Sequence, residues 1–259
     1  MPAPAVPEPG PVEGPGPLAR LARLVVPVAC PGCGLDDVPW CEACEAPWWE
    51  PPLRCETGAP RLDGLTPPLP VWSVAELDGA AHGVVAAWKD AGRRDLGALL
   101  GPALERAAAA VAPALGPAVA SAPVAVVPCP ARAAHTRRRG VDLPLLLARA
   151  AAAGLATGGV AAEAVDALLP ARGASRGAGD RGRWRAGAGR VRASVARRGG
   201  PRPALLVDDV VTTGATLARA AGALRGSPLV PVGALVLASA PAPGEVLRVR
   251  PASPSGALG

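Results

Sequence analysis

The chain has 259 residues, 27 of them Lys or Arg against 21 Asp or Glu, for a formal net charge of +6, and it contains neither Phe nor Tyr. That length holds one α/β domain of ordinary size plus a small module, so folding does not depend on disulfides, and the core must be built from Val, Leu, Ala and six Trp residues. The positive balance suits phosphate-bearing ligands or nucleic acid without choosing between them, and no run free of charge and proline is long enough to span a bilayer.

Residues 1–17 are rich in Pro and Gly with almost nothing apolar to bury, and are expected to form a disordered tail. Leu18, Leu21, Leu24 and Val25 recur at helical spacing and predict a short amphipathic helix leading to Pro27. The stretch from Val25 to Cys30 loosely resembles a lipoprotein cleavage site, but Arg20 and Arg23 interrupt the apolar run it would need. The expected compartment is therefore cytoplasmic. A cysteine-bearing module completes 18–60. From Val71 onward, short apolar runs alternate with Ala/Leu-rich segments. They predict strands near 71–77, 123–128, 203–207 and 229–238 and helices near 79–91, 94–112, 141–153 and 214–225. Such alternation argues for βα units on a parallel sheet, an α/β domain over 61–240. Within it, residues 172–190 are rich in Arg and Gly without periodicity and read as a mobile loop; 241–259 read as a second tail.

Cys30-Pro31-Gly32-Cys33 and Cys41-Glu42-Ala43-Cys44 are two Cys-x-x-Cys pairs seven residues apart. Each pair can form a knuckle that presents two thiolates to one tetrahedral zinc ion. A pair of disulfide hairpins is the competing reading, and a reducing compartment disfavours it. Cys55 has no nearby partner, and Cys129, between two prolines, needs no role beyond that of a small buried hydrophobe. Asp36, Asp37, Glu42 and Glu45 surround the four cysteines, which is the wrong charge for contacting nucleic-acid phosphates. A structural or partner-docking module is expected.

The most informative stretch runs from Leu205 to Leu217, where an apolar strand meets Asp208 and Asp209, then Val211, Thr212, Thr213, Gly214, Ala215 and Thr216 at a helix start. An apolar run ending at Val207 places the two carboxylates at the carboxyl end of a buried strand, where open α/β sheets bind ligands, and so at the rim of the core. Hydroxyls, approachable backbone N–H groups and the positive end of the following helix suit a phosphate monoester, whereas adjacent carboxylates suit sugar hydroxyls. Neither the glycine-rich nucleotide loop ending in Lys-Ser/Thr nor the dinucleotide glycine fingerprint is present. An ordinary helix cap is the simpler alternative. A second strand ends in Val127-Pro128-Cys129-Pro130-Ala131-Arg132 and is followed by His135-Thr136-Arg137-Arg138-Arg139-Gly140. Backbone donors with a cationic cover are what a diphosphate requires, although an arginine cluster alone also describes a basic surface loop.

The Leu205–Leu217 segment resembles the 5-phosphoribosyl-1-diphosphate (PRPP) motif of type I phosphoribosyltransferases. Paired cysteines, Trp88-Lys89, the Val-Pro-x-Pro turn, the Arg-Arg-Gly arm and that motif follow one another in the order found in the ComF family of competence-associated, phosphoribosyltransferase-like proteins, over roughly residues 18–240. The resemblance implies a type I phosphoribosyltransferase-like parallel sheet flanked by helices, with a small N-terminal zinc-ribbon-like module. Asp208 and Asp209 would hold the ribose 2′- and 3′-hydroxyls, and Val211 to Thr216 would wrap the 5′-phosphate. Pro128 and Arg132 belong to the implied diphosphate loop, Arg137, Arg138 and Arg139 to a closing arm, and Lys89 matches a family lysine. An unidentified amine or nucleobase nitrogen would bond to C1 of Mg²⁺-bound PRPP and displace diphosphate, Asp208, Asp209 and Arg139 acting at the reacting ribose and diphosphate. The chain departs from the family after Gly140, where only Asp142 of the usual polar residues remains between Val141 and Leu143. The same resemblance offers a rival role, an accessory factor in DNA uptake that keeps the site with little or no turnover and meets single-stranded DNA or uptake proteins.

Overall fold

The computed structural model describes residues 28–119, 122–130, 142–169, 190–192, 195 and 200–241. The predicted N-terminal helix, both tails, Arg132, the arm Arg137 to Gly140 and nearly all of 172–190 lie outside the described residues. In chain order the elements begin with a single turn, α1 (Glu42–Glu45), and a two-residue strand, β1 (Leu53–Arg54). Then come β2 (Val71–Glu76), α2 (Gly79–Lys89), α3 (Gly97–Val111), β3 (Val124–Pro128), α4 (Leu143–Thr157) and β4 (Ala162–Ala164). A small pair, β5 (Leu168–Leu169) and β6 (Arg190–Val191), precedes β7 (Arg202–Val211), α5 (Ala215–Leu224) and β8 (Leu229–Ser239). The Asp78 carboxylate caps α2 by accepting from the Ala81 N–H at 2.7 Å, and Asp142 caps α4 by accepting from Leu145 at 3.2 Å.

Six strands form one sheet in the order β1-β2-β8-β7-β3-β4, parallel throughout except for β1. From β3 the chain moves outward to β4 and then returns to the other side as β7, so the direction of winding reverses between β3 and β7. That is the place where open parallel sheets leave a crevice at their carboxyl ends.

Alternation along the middle of the strands builds a core on each face. Val124, Val126, Leu205, Val207, Leu235 and Leu237 pack beneath α2, α3 and α4, whereas Ala125, Val127, Ala204, Leu206, Ala234 and Val236 pack against α5 and residues 59–69. The runs read as continuously apolar because both faces are covered. Cys30, Trp40, Cys44 and Trp48 join the first of these cores, so the cysteine module shares the apolar interior of the sheet, and β1 adds its edge strand. Trp40 and Trp48 meet edge to face at 5.9 Å.

Helices α3 and α4 approach so closely that a Cβ on Gly154 would stand 2.0 Å from the Glu105 carbonyl oxygen. The run Arg94–Gly116 containing α3 has the length and mean hydropathy, 1.2, of a membrane-crossing segment. Six of the fifteen residues of α3 are buried, on the stripe from Leu100 to Val111, and they belong to the same core as the inner stripe of α4. Its apolar character is accounted for by that burial.

Candidate functional site

Strand β7 outruns its neighbour β3. Pro128, the last residue of β3, is level with Val207, while β7 continues against β8 through Asp208, paired with Val236, to Val211, paired with Ser239. Asp208 and Asp209 are therefore inside a strand on one side and beyond the end of a strand on the other. This differs from the expectation that the strand ends at Val207 with both carboxylates at the rim; β8 runs to Ser239 and supplies hydrogen-bond partners that prolong β7. Both aspartates are half-buried as a result.

The side-chain alternation slips at this pair. Val207 packs in the core under α2 to α4, Val210 packs against that same core three residues later, and Val211 enters the opposite one. The Asp209 N–H donates to Asp208 Oδ1 at 2.9 Å, and Lys89 Nζ, at the last residue of α2, lies 2.6 Å from Asp209 Oδ2. Burial and the adjacent Asp209 charge push the Asp208 carboxyl up to about 8, against a lowering by the Asp209 N–H and by the charges of Lys89 and Arg219. Below the pair, Cys129 is fully buried at the end of β3, its N–H donating to the Val207 carbonyl at 2.8 Å. Its thiol is held far above the ordinary range by burial and then by the two carboxylates, which makes it inert packing.

After Val211 the chain turns through Thr212 and Thr213, both exposed, to Gly214 in the left-handed region at φ 74°. Glycine is required twice over, because a Cβ would also stand 2.7 Å from Leu62 Cγ and 3.0 Å from Ala59 Cβ. The Arg61 N–H donates to the Thr213 carbonyl at 2.9 Å, so residues 59–62 brace the turn from behind. Gly214 occupies the N-cap of α5 and offers no side chain, which leaves the first N–H groups of the helix facing a concavity of about 50 Å³ lined by Asp208, Val211 to Thr216 and their neighbours. That concavity has room for a small oxyanion.

Lys89, Asp208, Asp209 and the Val211–Thr216 turn are thus brought together around the carboxyl end of β7, with Pro128 at the end of the adjacent strand. Arg132, Arg137, Arg138 and Arg139 lie outside the described residues. Three contributing residues, in two groups, escaped the sequence reading. Arg219, on the second turn of α5, places its charge near Asp208, and Ala59 and Leu62 support Gly214 from more than 150 residues upstream. The helical spacing from Thr216 to Arg219 was a readable signal for the former; nothing local marks the latter. A larger, mostly apolar pocket of about 210 Å³ lies between Leu65 to Leu69 and the turn joining α5 to β8, at the amino end of β8 and away from the aspartates.

The four cysteines form a second centre. The Sγ atoms of Cys30, Cys33, Cys41 and Cys44 all lie within 4.8 Å of one another, with Cys30–Cys41 and Cys33–Cys41 at 3.6 Å. Tetrahedral thiolates at ordinary zinc distances stand about 3.8 Å apart, so this donor set fits a structural metal ion such as zinc and would close its shell. Burial pushes the Cys30 thiol up, but hydrogen bonds to the backbones of Cys41, Cys33 and Gly32 and to the Cys41 thiol more than offset it and bring it down to about 6. Cys44 is driven the other way by burial and by its three sulfur neighbours. Ionising one sulfur of the cluster opposes ionisation of its neighbours, and a divalent cation is what reconciles four thiolates. Cys55 stands apart, donating to the Val71 carbonyl at 3.6 Å.

No family model matches the chain, and no curated protein matches it in sequence.

Proposed function

We propose that the protein binds 5-phosphoribosyl-1-diphosphate and acts as a phosphoribosyltransferase of the ComF type, with a structural zinc ion on Cys30, Cys33, Cys41 and Cys44. The observation that carries this reading is the combination at the carboxyl end of β7: two adjacent carboxylates, one ion-paired, followed at once by an oxyanion-sized concavity at the uncapped start of α5. Carboxylates accept from ribose hydroxyls and repel phosphate, whereas helix N–H groups and threonine hydroxyls do the reverse, so a sugar phosphate fits across both in one orientation only. A 5′-phosphate in the Thr212–Thr216 turn puts the ribose over Asp208 and Asp209. The anomeric carbon then faces the crevice between β3 and β7.

In this reading the chain works by positioning and electrostatics. Asp208 and Asp209 orient the ring, and the Asp209 charge favours positive charge developing at C1. Lys89 tempers their repulsion, and Arg132 with Arg137, Arg138 and Arg139 supplies the cationic cover for the departing diphosphate. Mg²⁺ would enter with PRPP and neutralise diphosphate oxygens, held mainly by substrate and water. The acceptor is a nucleobase or another amine.

A second reading, a binding protein with little turnover that serves DNA uptake, is favoured by one observation. Asp142, the family-like polar residue left after the arm, is spent on capping α4. Calorimetry with PRPP, with and without Mg²⁺, tests the site, and diphosphate release over a panel of bases separates the two readings. Replacing Asp208 and Asp209 together with Asn should weaken PRPP by on the order of 2–4 kcal/mol, one charge-assisted acceptor at Asp209 and the neutral Asp208 carboxyl lost. Unchanged affinity in a folded double variant rejects the ribose site.

A further inference from the structure

Lys89 is the last residue of α2, and the same helix is the element on which the cysteine cluster sits. A Cβ on Gly83 would stand 2.2 Å from the Pro31 carbonyl oxygen, and one on Gly32 would stand 2.7 Å from Cys44 Sγ and 3.3 Å from the Ala80 carbonyl. The first knuckle therefore lies backbone to backbone on α2, with no side chain between them. Just beyond the helix, Arg93 donates to the carbonyls of Ala29 at 3.1 Å and Pro39 at 2.9 Å, one on each side of that knuckle, and it pairs with Asp95. Trp88, beside Lys89, is buried in the core that also receives Cys30 and Cys44. Gly83 and Lys89 are six residues apart on a continuous helix, about 9 Å along a stiff rod, so a displacement of the knuckle is delivered to the lysine with little loss.

We propose that Lys89 is the positioning residue of the carboxylate pair, and that the metal-bearing cysteine cluster sets its reach by gripping α2. The consequence for ligand rests on the ribose-phosphate reading; the coupling itself does not. Lys89 engages Oδ2 of Asp209, with Asp208, Arg219 and Cys129 the other titratable or charged groups at the pair among the described residues. The cluster is in this way part of the site's frame.

Because Lys89 is the only lysine in the chain, an amine-acylating reagent followed by peptide mass spectrometry reads this one ε-amine. Asp209→Asn should speed its acylation by about twofold to fivefold, the range set by a partly exposed ion pair. Gly83→Ala, which wedges the knuckle from the helix, should speed it comparably, and adding Asp209→Asn to that variant should change nothing further. Arg93→Gln, which leaves the helix surface untouched, provides the same test if Gly83→Ala does not fold. Native acylation rates in folded Gly83→Ala and Arg93→Gln proteins would overturn the coupling. In calorimetry with ribose 5-phosphate, Lys89→Met and Gly83→Ala should weaken binding alike and Lys89→Arg should restore part of it; full affinity in Lys89→Met overturns the positioning role. A native protein that binds no ribose phosphate rejects the functional reading, and the acylation rates still decide the coupling.

Discussion

Asp208 is under electrostatic tension at the site, a half-buried carboxyl beside a second one, pushed up to about 8. A folded-state value above the unfolded value near 3.9 means that the folded chain holds the extra proton between the two. Its contribution to stability is fully present below the unfolded value and is lost as pH rises through about 8. Urea denaturation at pH 5, 7 and 9 should therefore show a decline of on the order of 1–3 kcal/mol from this group, and Asp208→Asn should flatten it. An identical decline in the variant would place the tension elsewhere. Gly214 poses a steric question instead. With φ at 74° and Leu62 and Ala59 behind it, Gly214→Ala should cost about 1–3 kcal/mol and move the Thr212–Thr216 turn. Loss of ribose 5-phosphate binding beyond the loss in stability is the expected signature, read by calorimetry on the folded fraction.

Among the elements, the contact of α3 with α4 decides how the first core closes. Gly154 permits the two backbones to meet at Glu105, and Gly158 does the same at Ala109. Gly154→Ala should destabilise the protein by about 1–3 kcal/mol or more, through overpacking against a carbonyl that cannot give way. A urea midpoint unchanged by that substitution would mean that the helices do not meet there. The same contact explains why so apolar a segment as Arg94–Gly116 belongs in this fold, since its buried stripe is taken up by α4 and the sheet. Elsewhere, β7 shows that an element's length can be set by its partner. Its continuous apolar run ends at Val207, but β8 carries the pairing past the two aspartates to Val211.

For the molecule as a whole, the cysteine module and the sheet share one core, where Cys30, Trp40, Cys44 and Trp48 sit, and are expected to fold as one unit. Arg106, on α3, reinforces this by donating to the carbonyls of Trp48 and Glu50. Zinc should co-purify at one equivalent per chain. Stripping it with a chelator should lower the thermal midpoint of the entire protein and change the fluorescence of the Trp40–Trp48 pair, since metal binding there is folding free energy. Cys44→Ser should abolish the metal, and Cys55→Ser should leave it in place. A stripped protein melting at the native temperature would show that the module is an independent appendage.

The order of residues by itself determined the local chemistry: where the longer strands and helices lie, that the fold is α/β, that four cysteines are spaced for one metal, and that Asp208, Asp209 and the threonine turn follow one another without a break. These are short-range properties, set by side-chain periodicity and by neighbours in the chain. Three-residue and two-residue strands such as β4 and β1 were not legible, because their pairing comes from partners far away and not from their own composition. Only the tertiary structure decided that Lys89 lies on Asp209, that Ala59 and Leu62 hold Gly214 in place, and that the cysteine knuckle rests on the helix bearing that lysine. The physical reason is distance along the chain. Each of these contacts joins segments separated by tens of residues or more, and only the packing of both sheet faces brings them within a few ångströms.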